Sequence, residues 1–108
     1  MSAVICGTGS YAPGYVMDND RIAELVETSD TWIRERTGIR QRHIAKAETT
    51  TYMAAEAAKK AIEQAGISPE EIELIIMATL SSDIILPCSA CEVQKEIGAK
   101  NAAAFDIN

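Results

Sequence analysis

A chain of 108 residues with 47% hydrophobic and 24% charged residues has the composition of one folded domain, or part of one, and not of a disordered segment. Its net charge of −6 disfavours nucleic acid as a partner, because phosphate backbones are met by a basic surface. No stretch approaches the roughly 20 apolar residues of a membrane span, and the start Met-Ser-Ala-Val-Ile lacks the basic region of a signal peptide, so no membrane partner and a cytoplasmic location are expected.

In chain order, Ala3-Val4-Ile5-Cys6-Gly7 is a short apolar run that reads as a buried strand, followed by a loop through Pro13-Gly14. The Gly7-Thr8-Gly9 that ends it lacks the third glycine of a dinucleotide fingerprint. Asp18 or Asn19 can cap a short helix carrying Ile22, Leu25 and Val26; Ser29 can cap a second helix that Gly38 terminates. Arg40 to Ile44 alternates as a short strand or extended loop would.

From Thr49 to Ala65, Met53, Ala54, Ala57, Ala58, Ala61, Ile62 and Ala65 recur at helical spacing, with Gly66 placed for a left-handed cap. So much alanine implies close packing against another backbone. Ser68-Pro69-Glu70-Glu71 has the form of a capping box and predicts one turn of helix. Leu74 to Thr79 and Ala102 to Ile107 are continuous apolar runs, the pattern of strands covered on both faces. Between them Pro87 to Gly98 reads as a helix with Ala90, Val93, Gln94 and Ile97 on one side. Strands alternating with helices describe an α/β layer architecture with a largely parallel sheet.

Two clusters invite a functional reading. Half of the Lys and Arg residues, five of ten (Arg34, Arg36, Arg40, Arg42 and Lys46), lie between positions 34 and 46, where Glu35 is the sole acid. Beside Trp32 this reversal of sign suits an anionic ligand with a ring, or an acidic partner. Trp32 alone would equally suit a core anchor on a short amphipathic helix. Cys88 and Cys91 form a C-x-x-C, yet Cys6 and His43 lie too far away in sequence to complete a zinc site, so no metal is expected; a helix start with small core-facing residues fits the pair as well as a redox site does.

Taken together, Gly7-Thr8-Gly9-Ser10-Tyr11, the segment from Thr28 to Arg42, Ala65-Gly66-Ile67, Ala78-Thr79, Pro87-Cys88-Ser89-Ala90-Cys91 and Phe105-Asp106-Ile107-Asn108 closely resemble β-ketoacyl-acyl carrier protein synthase III. The resemblance runs through essentially the whole chain in order. It implies a thiolase-like fold of two related α/β halves, with residues 1–108 as the N-terminal portion of the first half, ending before the turn that carries the family's nucleophilic cysteine. It also implies an acyltransferase that condenses acetyl-CoA or another short acyl-CoA with malonyl-acyl carrier protein to begin type II fatty acid synthesis, as a homodimer.

By that resemblance none of Cys6, Cys88, Cys91 and His43 matches a catalytic position, so no catalytic residue is expected in this chain. The CoA-binding residues would be Trp32 on the adenine, Thr28 beside that ring, and Arg36 with Thr37 toward the phosphate and pantetheine. Acyl-CoA enters as substrate, with no tightly bound cofactor. Leu86 would line the acyl pocket of the dimer partner, or be an ordinary interface leucine. Arg34, Arg40 and Arg42 are divided between a solvated face and docking of the acidic carrier protein, and Asp106 and Asn108 would support the nucleophile turn. The alternative from another class is a non-catalytic CoA-binding or interaction module.

Overall fold

A computed structural model describes all residues from Met1 to Asn108, which form two compact units. In the unit Ala12–Ala47, strand β1 (Tyr15–Asp18) pairs antiparallel with β2 (Gln41–Ile44), Tyr15 opposite Ile44 and Asp18 opposite Gln41. Helices α1 (Asn19–Ala23) and α2 (Asp30–Thr37) lie between them in sequence. Asp18 caps α1 by accepting from the Arg21 amide at 2.8 Å, and Ser29 caps α2 through the Trp32 amide at 3.2 Å. Gly38, with φ of 73°, closes α2 in the left-handed conformation that a glycine adopts without a Cβ penalty. The predicted first helix is shorter than its apolar pattern: it stops at Ala23, and Leu25 and Val26 form an exposed turn whose amides both reach the Ile22 carbonyl.

The second unit joins Met1–Tyr11 to Glu48–Asn108. Helix α3 (Thr50–Ala65), a 3-10 turn (Pro69–Glu71), strand β3 (Leu74–Ala78), helix α4 (Ser89–Ile97) and strand β4 (Ala103–Ile107) follow in order, and β3 and β4 pair in parallel with Ile76 opposite Phe105. The capping box is present in full, Ser68 and Glu71 bonding reciprocally to backbone amides. Ala55, Val93, Ile97 and Ala99 form the buried core, against which Ile62, Ile75 and Met77 pack.

The alanine-rich face of α3 does meet another backbone, but not that of a strand. Gly7 and Gly9 lie so close to α3 that a Cβ on either would overlap backbone atoms: on Gly7 the Ala61 carbonyl and the Ala65 nitrogen, on Gly9 the Ala57 carbonyl and the Ala61 nitrogen. The run from Ala3 to Gly7 is not a strand. No neighbour pairs with it, Val4 and Ile5 are exposed, and the chain just after it is fixed by side chains of α3: Gln64 accepts from the Thr8 amide at 2.6 Å and Lys60 donates to the Ser10 carbonyl at 2.8 Å. Apolar content alone does not make a strand when no edge is there to take its amide and carbonyl groups.

The other two predicted strands form, but each is covered on one face. Ile75, Met77, Ala104 and Asp106 are half-buried, whereas Leu74, Ile76, Ala78, Ala103, Phe105 and Ile107 are exposed, so the two-stranded layer presents one wholly apolar open face.

Candidate functional site

The unit Ala12–Ala47 contains an open cleft of about 590 Å³ lined by Ile22, Val26, Glu27, Thr28, Ser29, Trp32 and Ile33. Its position follows from helix spacing. Ile33 points inward and is buried, which leaves its neighbour Trp32 on the outer side with 53% of its surface accessible. Arg36, one turn on, places its guanidinium carbon 4.7 Å from the centre of the Trp32 ring, a cation–π arrangement. Thr28 contributes a buried hydroxyl oxygen with no hydrogen-bond partner. An aromatic face, a cation against it and an unused hydroxyl thus converge within nine residues of sequence.

Thr37 is the member of the predicted set whose hydroxyl is already engaged. Its Oγ1 donates to the Ile33 carbonyl at 2.7 Å and accepts from the Ile39 amide at 3.1 Å, finishing α2. Leu86 belongs to the other unit, in the loop between β3 and α4, and is 83% exposed.

The basic cluster resolves into separate roles. Arg34 pairs with Asp30 at 3.2 Å, an exposed i,i+4 contact that contributes little to stability. Arg34 and Arg40 border a second shallow recess with Thr31, Glu35 and Gly38. Arg42, which the sequence left between a solvated face and carrier-protein docking, is half-buried and donates to Asn19 Oδ1 at 2.8 Å. Lys46 lies over the Tyr15 ring at 3.6 Å.

The sequence offers Asn19 only as an alternative helix cap to Asp18, yet it is helical and only 1% of its surface is exposed. Besides accepting from Arg42, its amide donates to Asp30 Oδ1 at 2.9 Å and to the Ile39 carbonyl at 2.8 Å. It therefore ties α1 to both ends of α2, the two helices that wall the cleft. That hydrogen bond from Asn19 is the main reason the Asp30 carboxyl lies below the ordinary aspartate range; partial burial opposes it, and Arg34 adds to it. The single signal available was its place directly after the Asp18 cap.

In the other unit, the Asp106 carboxylate acts on the neighbouring helix. It accepts from the Ser89 and Ala90 amides at 2.8 and 2.7 Å and so caps α4 from the neighbouring strand. Cys88, at the cap position, makes no side-chain bond to the helix amides; its sulfur lies 3.2 Å from that of Cys91. No three His, Cys, Asp or Glu side chains gather to hold a metal, and no helix is long and apolar enough to cross a membrane.

No family model matches the chain. Among curated proteins, the β-ketoacyl-[acyl-carrier-protein] synthase III of Clostridium botulinum strain Hall is 54% identical over 104 residues, 96% of this chain and 32% of the relative. The crystal structure of 3-oxoacyl-[acyl-carrier-protein] synthase III from Aquifex aeolicus superposes with a TM-score of 0.92 at 52% identity, covering 95% of this chain and 33% of that one. The priming β-ketosynthase of the R1128 polyketide pathway does so with a TM-score of 0.91 at 36% identity, covering 95% and 31%. The chain thus spans about a third of the length of the relatives it matches. Over nearly all of its residues it is similar in sequence to that third of β-ketoacyl-[acyl-carrier-protein] synthase III, and its α/β fold is that of the same thiolase-like condensing enzymes.

Proposed function

We propose that this chain is the acyl-CoA-binding portion of a condensing acyltransferase that joins acetyl-CoA, or another short acyl-CoA, to malonyl-acyl carrier protein at the start of type II fatty acid synthesis. The observation that carries the reading is the cleft lined by Trp32 and Thr28, with Arg36 against the Trp32 ring, in a chain 54% identical to such synthases. The free face of Trp32 suits the adenine ring, with Thr28 beside it. Arg36, against the Trp32 ring, supplies charge for a phosphate. Thr37 contributes by ending α2 so that Arg36 is held over Trp32, and its hydroxyl is not needed for a ligand contact.

This reading assigns the nucleophile to the two-thirds of such an enzyme that the chain does not span. It places the protein in the cytoplasm as a homodimer, with acyl carrier protein as its second substrate and Leu86 directed to the partner's acyl pocket. Calorimetric titration of CoA into the purified protein tests it. Trp32→Ala should weaken binding by about 1–3 kcal/mol, the value of one base stacked on an aromatic ring. Unchanged affinity in a folded Trp32→Ala protein would sink the assignment. Arg36→Ala should also weaken binding and flatten its salt dependence, because the lost interaction is a screened charge contact. A salt dependence identical to that of the parent would make Arg36 a structural residue.

A further inference from the structure

The C-x-x-C of α4 is used by neither the cleft nor the proposed condensation. We propose that Cys88 and Cys91 are a redox-modification site, a vicinal dithiol that exchanges with a small-molecule disulfide such as glutathione disulfide to close a disulfide within the first turn of α4. Three features of the chain carry this.

The first is position. Cys88 is the cap residue, still extended with φ of −64° and ψ of 154°, and Cys91 lies in the opening turn, so the two sulfurs approach to 3.2 Å across the end of the helix. Side chains three residues apart on a helix face the same way, which brings the two cysteines within bridging range without moving the strands on either side. The second is that Cys88 has no competing task. A cap residue ordinarily occupies the first amides of its helix, but here the Asp106 carboxylate takes those of Ser89 and Ala90. The third is access. Ser89 and Ala90 between the cysteines are fully buried, whereas Cys88 and Cys91 are both partly exposed.

The two thiols are not equivalent. The hydrogen bond with Cys88 is the main influence raising the Cys91 thiol above the ordinary cysteine range, and burial and the charges of Cys88, Asp106 and Glu92 add to it. Cys91 therefore holds its proton more tightly than an ordinary thiol, and Cys88, in the extended cap position at the end of the helix, is the attacking sulfur. The Cys88 thiolate forms a bond to one sulfur of glutathione disulfide, and the S–S bond of that disulfide breaks with release of one glutathione thiolate. Cys91, deprotonated in its turn, attacks the Cys88 sulfur and expels the second glutathione thiolate. The two leaving thiolates take up the two protons, so one glutathione disulfide is reduced to two glutathione molecules as the dithiol is oxidised to a disulfide. Cys6 is exposed and has no neighbouring thiol, so it stops at the mixed disulfide and serves as an internal reference.

The test is peptide mass mapping of the purified protein after incubation in glutathione disulfide, with remaining thiols alkylated. The expected result is a peptide spanning positions 88–91 that has lost two hydrogens and regains them in dithiothreitol. In Cys91→Ser, Cys88 should hold a stable glutathione adduct, formed about tenfold faster than any adduct on Cys91 in Cys88→Ser. Free thiols at both 88 and 91 in glutathione disulfide that has modified Cys6 would overturn the proposal. Should one serine variant fail to fold, the unsubstituted protein still decides whether the disulfide forms. A faster adduct on Cys91 would overturn the order of attack.

Discussion

In the unit Ala12–Ala47 the most deeply buried side chain is an asparagine, whereas in the other unit the buried positions are chiefly alanine, valine and isoleucine. The difference bears on function. Apolar packing holds the β3–α4–β4 layer without specifying much beyond volume, but the three hydrogen bonds of Asn19 are directional and fix the angle at which α1 meets α2. A cleft walled by those two helices needs that kind of restraint. The sharpest way to break the comparison is Asn19→Leu, which removes the partner of Arg42 Nη2, Asp30 Oδ1 and the Ile39 carbonyl in a part-buried site. It should cost about 3 kcal/mol, the upper end for stranding buried polar groups. Trp32 is the sole tryptophan, so its fluorescence reports this unit directly during denaturant unfolding. An unchanged midpoint would mean that the polar hub is incidental.

The corresponding polar contact in the other unit is the Asp106 cap of α4. Asp106→Ala frees two part-buried amides and should destabilise by about 2 kcal/mol, somewhat above an ordinary cap because the acceptor is charged. Asp106→Asn, retaining one acceptor oxygen, should lose less. Amide exchange along α4 is the measurement, and protection equal to the parent in Asp106→Ala would show that the apolar core alone holds the helix.

What was legible in the sequence divides along the same line between local and distant contacts. Ser29 with Gly38, Thr49 with Gly66, and the Ser68–Glu71 box act within a few residues of themselves, so the helices α2 and α3 and the 3-10 turn could be read with their ends. The pairing of Trp32 with Arg36 was accessible for the same reason, since one helical turn separates them. Arg42 meets Asn19 across 23 residues, Thr50 meets Asp83 across 33 and Ser89 meets Asp106 across 17, and no local pattern announces any of these. The run Ala3–Gly7 failed for a related reason: strand formation is decided by the partner edge, which lies elsewhere in the chain. Strand β1 went unread because Tyr15-Val16-Met17-Asp18 is short and follows a Pro-Gly turn.

The exposed face of β3 and β4 offers a smaller effect on stability and a clearer one on association. Leu74, Ile76, Phe105 and Ile107 lie side by side there, in a patch of the kind that mediates protein contact. The 108-residue chain on its own should therefore associate in solution. Phe105→Glu should shift light scattering toward the monomer while moving the unfolding midpoint by less than about 0.5 kcal/mol, as expected of a surface substitution. A parent chain that is already a monodisperse monomer would refute the reading of this face.

The smallest effect concerns acid. Asp83, in the loop before α4, accepts from the Thr50 and Thr51 amides at 2.8 and 2.7 Å and ties that loop to the start of α3. Partial burial pushes its carboxyl up, but the hydrogen bonds from Thr51, Thr50 and Thr49 outweigh it, and the net displacement is downward. A carboxyl whose folded value lies below its unfolded one binds fewer protons when folded, so its contribution is complete above the unfolded value of about 3.9 and disappears as the pH falls through the lower, folded value. Protection of the Thr50 and Thr51 amides should therefore fall in that acid window, and Asp83→Asn should weaken it at neutral pH and remove its pH dependence. Asp30 is displaced in the same direction by Asn19, so the unit with the cleft should keep its own acid response in the Asp83→Asn protein, read through Trp32. If Asp83→Asn abolished both responses, the Trp32 signal in this window could not belong to Asp30, and the assignment of separate carboxylate anchors to the two units would be wrong.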